Sequence, residues 1–242
     1  MPVDPYLSVV VPIFNEVDSL DALHRELDVC LAGIAGGIEI VLVDDGSDDG
    51  SGDRMREIAR RDTRVRVLVL DCNHGQSTAL EAGFRSARGD VIATLDGDLQ
   101  NDPADIPRML ALLDRADVVN GVRANRRDSS VRRLASRVAN GFRNWLTGET
   151  IADVGCSLRV MRSSFAKRVK LYRGMHRFLP TLLRMEGART IAVPVAHRPR
   201  RFGRSKYGNL ERLTAGIVDL WAVRWMQSRH ERYRADDGPG PR

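Results

Sequence analysis

"DVIATLDGDLQNDP" (residues 90–103) passes from a short apolar segment into three carboxylates, Asp96, Asp98 and Asp102, within seven positions. The apolar part is too short for a stable helix and reads as a strand buried on both faces. Four other segments share its character: "LSVVVPI" (7–13), "IEIVLV" (38–43), "VRVLVL" (65–70) and "DVVNGV" (117–122). Between them lie stretches with helical spacing. Val17, Leu20, Leu23, Leu27 and Leu31 form one apolar stripe, and "GQSTALEAGFRSARG" (75–89) predicts a second helix closed by Gly89. Strand alternating with helix implies an α/β fold with a mainly parallel central sheet flanked by helices.

Ligands of such sheets bind beyond the carboxyl ends of the strands. Three polar clusters fall there: "PIFNE" (12–16), "DDGSDDGS" (44–51) and "DGDLQ" (96–100). Asp96 and Asp98, separated by Gly97, suit a hard divalent cation, Mg²⁺ or Mn²⁺, whose remaining ligands are diphosphate oxygens. Asp102 before Pro103 is read instead as a helix cap. In the second cluster, Asp48 or Ser51 suits a cap, while Asp45 either belongs to that turn or accepts hydrogen bonds from a nucleobase. His74, in "HGQ" (74–76), is read as structural, and the other histidines lack a nearby Ser/Asp or Cys pattern.

Composition narrows the setting. The 242 residues carry a net charge of +6, but unevenly. Residues 1–121 hold 11 Lys and Arg against 23 Asp and Glu, a net −12, and the remainder holds 27 against 9, a net +18. An acidic half suits a cation; a basic half suits phosphate, nucleic acid or an anionic membrane. Three cysteines, Cys30, Cys72 and Cys156, far apart and without metal spacing, argue for a reducing compartment and against a disulfide framework or a zinc site. The absence of a signal peptide and of a long apolar span points to the cytosol.

The second half begins with "RANRRDSSVRRLASRVANGFRNWLTG" (123–148), expected to form one or two basic helices. Arg126, Arg127 and Arg137 are read there as solvated. "SLRVMR" (157–162) and "TIAVPVAHR" (190–198) suggest further strands, and "HRPRRFGRSKYG" (197–208) a mobile basic loop suited to anions. Residues 209–226 read as an amphipathic C-terminal helix and 227–242 as a tail. Ile217, Leu220, Trp221, Arg224 and Trp225 on that helix suit either packing on the sheet or the membrane interface.

"VVVPIFNE", "IVLVDDGSDDGS" and "LDGDLQNDP", in this order and spacing, resemble the nucleotide-diphospho-sugar glycosyltransferases of family 2, which have the GT-A fold. "GVR" (121–123), "RRLAS" (132–136) and "RRFGRSKYG" (200–208) are similar to the dolichol-phosphate mannose synthase branch, which includes bacterial polyprenyl-phosphate glycosyltransferases. The resemblance covers roughly residues 7–210. It implies a GT-A domain over residues 1–208, with a nucleotide-sugar and metal half at 1–122 and an acceptor half at 123–208. It further implies that Pro12, Phe14, Glu16, Val43 and Asp45 cradle the base and ribose. Asp96, Gly97, Asp98 and Gln100 would hold metal and diphosphate, with Asp96, Asp98 and Gln100 as the metal set. Arg123 would meet phosphate near the sugar, Arg132 with Ser136 the acceptor phosphate, and Arg200 with Lys206 the donor diphosphate. Asp98, Arg123, Arg132 and Ser136 are thus the expected catalytic group. Two departures, Phe14 for the usual Tyr and Gly97 for the usual Ala, leave the donor as GDP-mannose or a UDP-sugar.

The implied reaction moves the sugar to a polyprenyl phosphate with inversion, on the cytoplasmic face of the membrane. The enzyme would be peripheral, with a separate membrane-anchoring partner protein in view. Two rivals are a saccharide acceptor, for which "VRW" (223–225) lacks the preceding Gln, and a nucleic-acid-binding module. Few aromatics interleave the arginines, so no nucleic-acid partner is expected.

Overall fold

The computed structural model describes residues 4–123, 141, 144, 146–148, 155–200 and 209–231. Seven strands form one sheet: β1 (Leu7–Ile13), β2 (Ile38–Asp44), β3 (Val65–Val69), β4 (Val91–Thr94), β5 (Val118–Arg123), β6 (Arg159–Arg162) and β7 (Thr190–Val195). Their order across the sheet is β3-β2-β1-β4-β6-β5-β7. The first four are mutually parallel, with β1 central between β2 and β4. Each of the five runs singled out in the first half is a strand, within a residue at either end.

The runs are apolar throughout because both faces are covered. Leu7, Val9, Val11 and Ile13 of β1 face one core with Leu20, Leu23, Leu27 and Leu31 of α1 (Leu20–Leu31) and with Met55 and Ile58 of α2 (Ser51–Arg61). Val10, Val41, Val43 and Ile92 face a second core. There they meet Ala79, Leu80 and Phe84 of α3 (Gln76–Ser86), and Leu220 and Val223 of the C-terminal helix Asn209–Arg229. α3 lies tight on the sheet at Gly83. A Cβ there would come 2.3 Å from Val10 Cγ1 and 3.2 Å from Val43 Cγ2, so only glycine allows this approach.

The sheet departs from simple strand order at one place. β6 inserts between β4 and β5 and runs antiparallel to both, pairing Thr94 with Arg159 and Val119 with Val160. β5 therefore points the same way as β4, and its carboxyl end, Arg123, reaches the same rim. β7 is parallel to β5 and ends the sheet.

The C-terminal helix differs from expectation in two ways. It continues to Arg229, where Gln227 Nε2 donates to the Thr147 carbonyl at 2.8 Å, so the first residues of the expected tail are helical. Leu220 also points inward, whereas Trp221, Arg224 and Trp225 are exposed; the Ile217 side chain lies outside the described residues. The expected basic helices at 123–148 fall mostly outside them as well.

Gly83→Val should destabilise the fold by about 1–3 kcal/mol through overpacking against Val10 and Val43, read as a lower urea midpoint. Gly33→Ala, where an added Cβ meets nothing within 4 Å, is the control and should leave the midpoint unchanged.

Candidate active site

The ends of β1 and β2 are laced together by polar side chains. Asn15 takes a left-handed conformation (φ 53°), which turns its side chain back on the loop after β2. Its Nδ2 donates to Asp48 Oδ1 (2.7 Å), and its Oδ1 accepts from the Asp48 amide (2.9 Å). The Asn15, Glu16 and Val17 amides donate to Ser47 Oγ, Ser51 Oγ and Asp49 Oδ2. The caps expected at Asp48 or Ser51 are thus replaced. Asp48 serves Asn15, and Asp49 accepts from both the Ser51 amide (2.9 Å) and hydroxyl (2.6 Å) at the start of α2.

Asp45 follows β2 and is almost fully buried. Its carboxylate accepts from the amides of His74 and Gly75, both at 2.8 Å, and from Asn73 Nδ2 at 3.2 Å. Burial nevertheless pushes its carboxyl above the ordinary range. Asp45 therefore fastens the turn after β3 to the rim, in part through the backbone amide of His74. The Val43 side chain is fully buried in the core beneath α3, which leaves its backbone to face a ligand. Pro12, Phe14 and Glu16 are half-buried on the rim.

The turn "DGDLQ" is built under constraint. Leu99 adopts φ 62° while its side chain is buried in the core; such a conformation costs a non-glycine residue about 1–2 kcal/mol. That arrangement turns the neighbouring carboxylates to the rim. Asp96 accepts from Gln76 Nε2 on one oxygen (2.7 Å) and from Ser157 Oγ on the other (2.7 Å), and Ser157 Oγ also lies 2.7 Å from Asn101 Oδ1. Desolvation, with the adjacent Asp98 charge second, pushes the Asp96 carboxyl up to about 6. Asp98 accepts the Gln100 amide (3.1 Å). Gly97 is packed closely, since a Cβ would come 2.5 Å from Ile13 Cδ1, and an alanine would have to displace that side chain. Asp102 caps the turn of helix at Pro103 as expected, accepting the Ala104 amide at 3.0 Å.

The chain after β7 is laid directly across this turn. His197 bridges to Asn101, the Arg198 amide donates to the Gln100 carbonyl (2.8 Å), and the Arg198 guanidinium pairs with Glu26 (2.7 Å) and Asp102 (2.6 Å). Gln100 turns its side-chain amide to the Arg198 carbonyl (3.4 Å). Its observed partner is thus this strap. Arg200 follows, pairing with Glu16 and standing 3.9 Å from Asp98 Oδ2. Residues 197–200 of the expected mobile loop are therefore anchored. Lys206, Arg132 and Ser136 lie outside the described residues. Arg123 stands at the same rim, at the end of β5 opposite Val195.

Gln76, Ser157 and Asn101 were not anticipated. Gln76 opens α3, so its local position was visible in the sequence. Ser157 and its neighbour Arg159 reach Asp96 only because β6 runs antiparallel to β4, a long-range pairing without a local signal.

The family model described as "Glycosyl transferase family 2" matches residues 8–170. The chain belongs to glycosyltransferase family 2. The undecaprenyl-phosphate 4-deoxy-4-formamido-L-arabinose transferase of Edwardsiella ictaluri is 43% identical over 89% of this chain and 66% of its own length. The dodecaprenyl-phosphate galacturonate synthase of Rhizobium johnstonii is 40% identical over 96% and 69%. The chain thus spans about two thirds of the curated relatives it matches. The structure of glucosyl-3-phosphoglycerate synthase from Mycobacterium tuberculosis, solved with Mn²⁺, UDP and phosphoglyceric acid, aligns with TM-score 0.69 at 18% identity. That alignment covers 94% of this chain and 80% of the other, and the shared fold is GT-A.

The all-oxygen pair of Asp96 and Asp98 fits a hard divalent cation, which would relieve the repulsion that raises the Asp96 pKa. Binding of Mn²⁺ with a nucleoside diphosphate should release protons at about pH 5.5, from Asp96 and from the diphosphate, and far fewer above about pH 7. Calorimetric heats in buffers of different ionisation enthalpy report this. Asp96→Asn should lower the release at the acidic pH by up to about one proton, leaving the part that comes from the diphosphate. Because the folded pKa is raised, ionisation of Asp96 should lower the stability of the metal-free protein as pH rises from about 4 to about 6. Asp96→Asn should flatten that part of the profile.

Proposed function

We propose that this chain transfers a sugar from a nucleotide-diphospho-sugar to a polyprenyl phosphate, with inversion at the anomeric carbon. The observation that carries the reading is the strained turn that presents Asp96 and Asp98 at the end of β4, with the cation Arg200 drawn over it. The two relatives named above, whose printed names carry undecaprenyl and dodecaprenyl phosphate, support the lipid acceptor over a saccharide.

In this reading the base and ribose lie between "PIFNE" and the turn fastened by Asp45, with Pro12, Phe14 and Glu16 as walls. Asp96 and Asp98 hold Mg²⁺ or Mn²⁺. The metal, when bound, neutralises charge growing on the departing diphosphate. Gln76 and Ser157 hold the Asp96 carboxylate in one orientation. Arg200 leaves Glu16 and Asp98 for the diphosphate, and Lys206 joins it. Arg123 meets phosphate beside the sugar, and Arg132 with Ser136 holds the acceptor. An acceptor monophosphate has its second pKa near about 6, so its attacking oxygen is already anionic at neutral pH. No protein base is needed. The chemistry reduces to holding two anions together in line and compensating the charge that moves between them.

The C-terminal helix completes the proposal. Val218, Trp221 and Trp225 recur at helical spacing and are exposed by 68%, 59% and 65%, while Leu220 and Val223 anchor the opposite side in the core. A helix seated by one face and showing two tryptophans and Arg224 on the other suits the headgroup region of an anionic bilayer. No helix among the described residues is long and apolar enough to cross a membrane. In this reading the exposed tryptophan face attaches the chain peripherally at the cytoplasmic face, with a membrane-anchoring protein as a further candidate partner.

The decisive assay offers labelled GDP- and UDP-sugars with undecaprenyl phosphate, with and without EDTA. One donor should give a lipid-linked product that EDTA abolishes; silence with every donor and metal would reject the reading. Arg200→Glu should cut turnover at least about 100-fold. The reversal also sets a third carboxylate beside Glu16 and Asp98, whose side chains are only 11% and 13% exposed, so its thermal midpoint should fall too. Arg200→Gln, without the reversed charge, should lose turnover with the smaller loss of midpoint. Replacing Trp221 and Trp225 together by alanine should sharply reduce co-sedimentation with anionic vesicles and leave affinity for the soluble donor unchanged.

A further inference from the structure

At the outer end of the rim, just beyond β3, Asp71, Cys72 and His74 bring a carboxylate oxygen, a thiol sulfur and an imidazole nitrogen within 4.8 Å of one another. His74 Nε2 lies 2.7 Å from Asp71 Oδ1 and 3.4 Å from Cys72 Sγ. The same ring nitrogen faces both partners. That rules out a nucleophile relay, in which the thiol and the carboxylate must engage opposite nitrogens of the ring.

The arrangement suits a cation instead. Tetrahedral Zn²⁺ with bonds of about 2.0–2.3 Å sets its ligand atoms roughly 3.3–3.7 Å apart. Cys72 and His74 already stand at that separation. Asp71 is closer to His74, but its side chain is 86% exposed and free to swing outward by the few tenths of an ångström required. The backbone is held ready. The Asp45 carboxylate grips the amides of His74 and Gly75 and the side chain of Asn73. At Gly46 the chain passes so close that a Cβ would lie 2.5 Å from the Cys72 carbonyl carbon. The turn bearing the three ligands is thus fixed by two independent contacts with the end of β2. Among the described residues no other group of His, Cys, Asp and Glu side chains converges in this way.

We propose that Asp71, Cys72 and His74 form a site for a borderline divalent cation, with Zn²⁺ the fitting occupant and water in the fourth position. Thiolate and imidazole select such an ion, whereas Mg²⁺ and Mn²⁺ favour the all-oxygen pair at β4. The two sites are separate. β2 and β1 lie between β3 and β4, and three strand spacings amount to roughly 14 Å. Binding converts the Cys72 thiol to a thiolate and releases its proton to solvent. The inference is independent of the glycosyl-transfer reading.

The test is a titration of the full chain with Co²⁺ in excess Mg²⁺, following the near-ultraviolet charge-transfer absorption that only a thiolate-bound cobalt gives. The expected result is a band that saturates near about one Co²⁺ per chain and is displaced by Zn²⁺. Cys72→Ser should remove it, although Cys30 and Cys156 remain, and Cys72 is exposed, so this variant keeps its fold. His74→Ala should weaken Co²⁺ binding at least about tenfold. Absence of the band up to millimolar Co²⁺, or its persistence in Cys72→Ser, would show an ordinary surface ion pair and overturn the proposal. Indifference to His74→Ala would overturn it equally.

Discussion

Asp96 and Asp98 stand two residues apart at the end of a buried strand, and each raises the cost of the other's charge. The fold does not let them relax apart. Leu99 holds a left-handed backbone because its side chain is locked in the core, and Gly97 is pressed against Ile13. Gln76 and Ser157 each take one oxygen of Asp96. Hydrogen bonds of this kind favour the anion, yet desolvation outweighs them and the carboxyl still titrates near about 6. The surrounding rim can be understood as a response to this concentrated negative charge.

The responses come from three directions. From the first two loops, Asn15, Ser47, Asp48, Asp49 and Ser51 tie the ends of β1 and β2 into one ledge beside the carboxylates. From α3, the helix begins at the rim because Asp45 holds the turn before it, which aims Gln76 at Asp96. From the far side of the sheet, the segment after β7 crosses back over the turn and delivers Arg198 and Arg200. The acidic first half and basic second half of the chain meet here, so the uneven charge along the sequence becomes a local pairing in space.

Much of this was legible beforehand because its signals are local. Continuous Val, Ile and Leu runs bounded by polar clusters mark strands buried on both faces, and the direction of a parallel sheet puts their ends together. Asp102 was readable as a cap from Pro103 alone. Three features were not legible, each for a physical reason. A strand apolar on both faces gives no sign of which residue meets a helix, so Val43 looked available to a ligand although α3 covers it. The pairing of β6 with β4 depends on contacts more than sixty residues apart, and Ser157 reaches Asp96 only through it. The basic segment 197–208 looked uniformly irregular, but its first residues gain a backbone bond to Gln100 and two ion pairs that no local composition reveals.

Arg200 joins the charge of the rim to the proposed reaction. Glu16 and Asp98 concentrate negative charge there, and Arg200 pairs with the first and stands 3.9 Å from the second. In the proposed reaction, a divalent ion held by Asp96 and Asp98 would weaken the pull of Asp98 on the guanidinium, and the donor diphosphate would offer Arg200 the bidentate anionic partner that arginine prefers. On that reading Arg200 would exchange carboxylate partners for the diphosphate while the anchor at Arg198 stays in place.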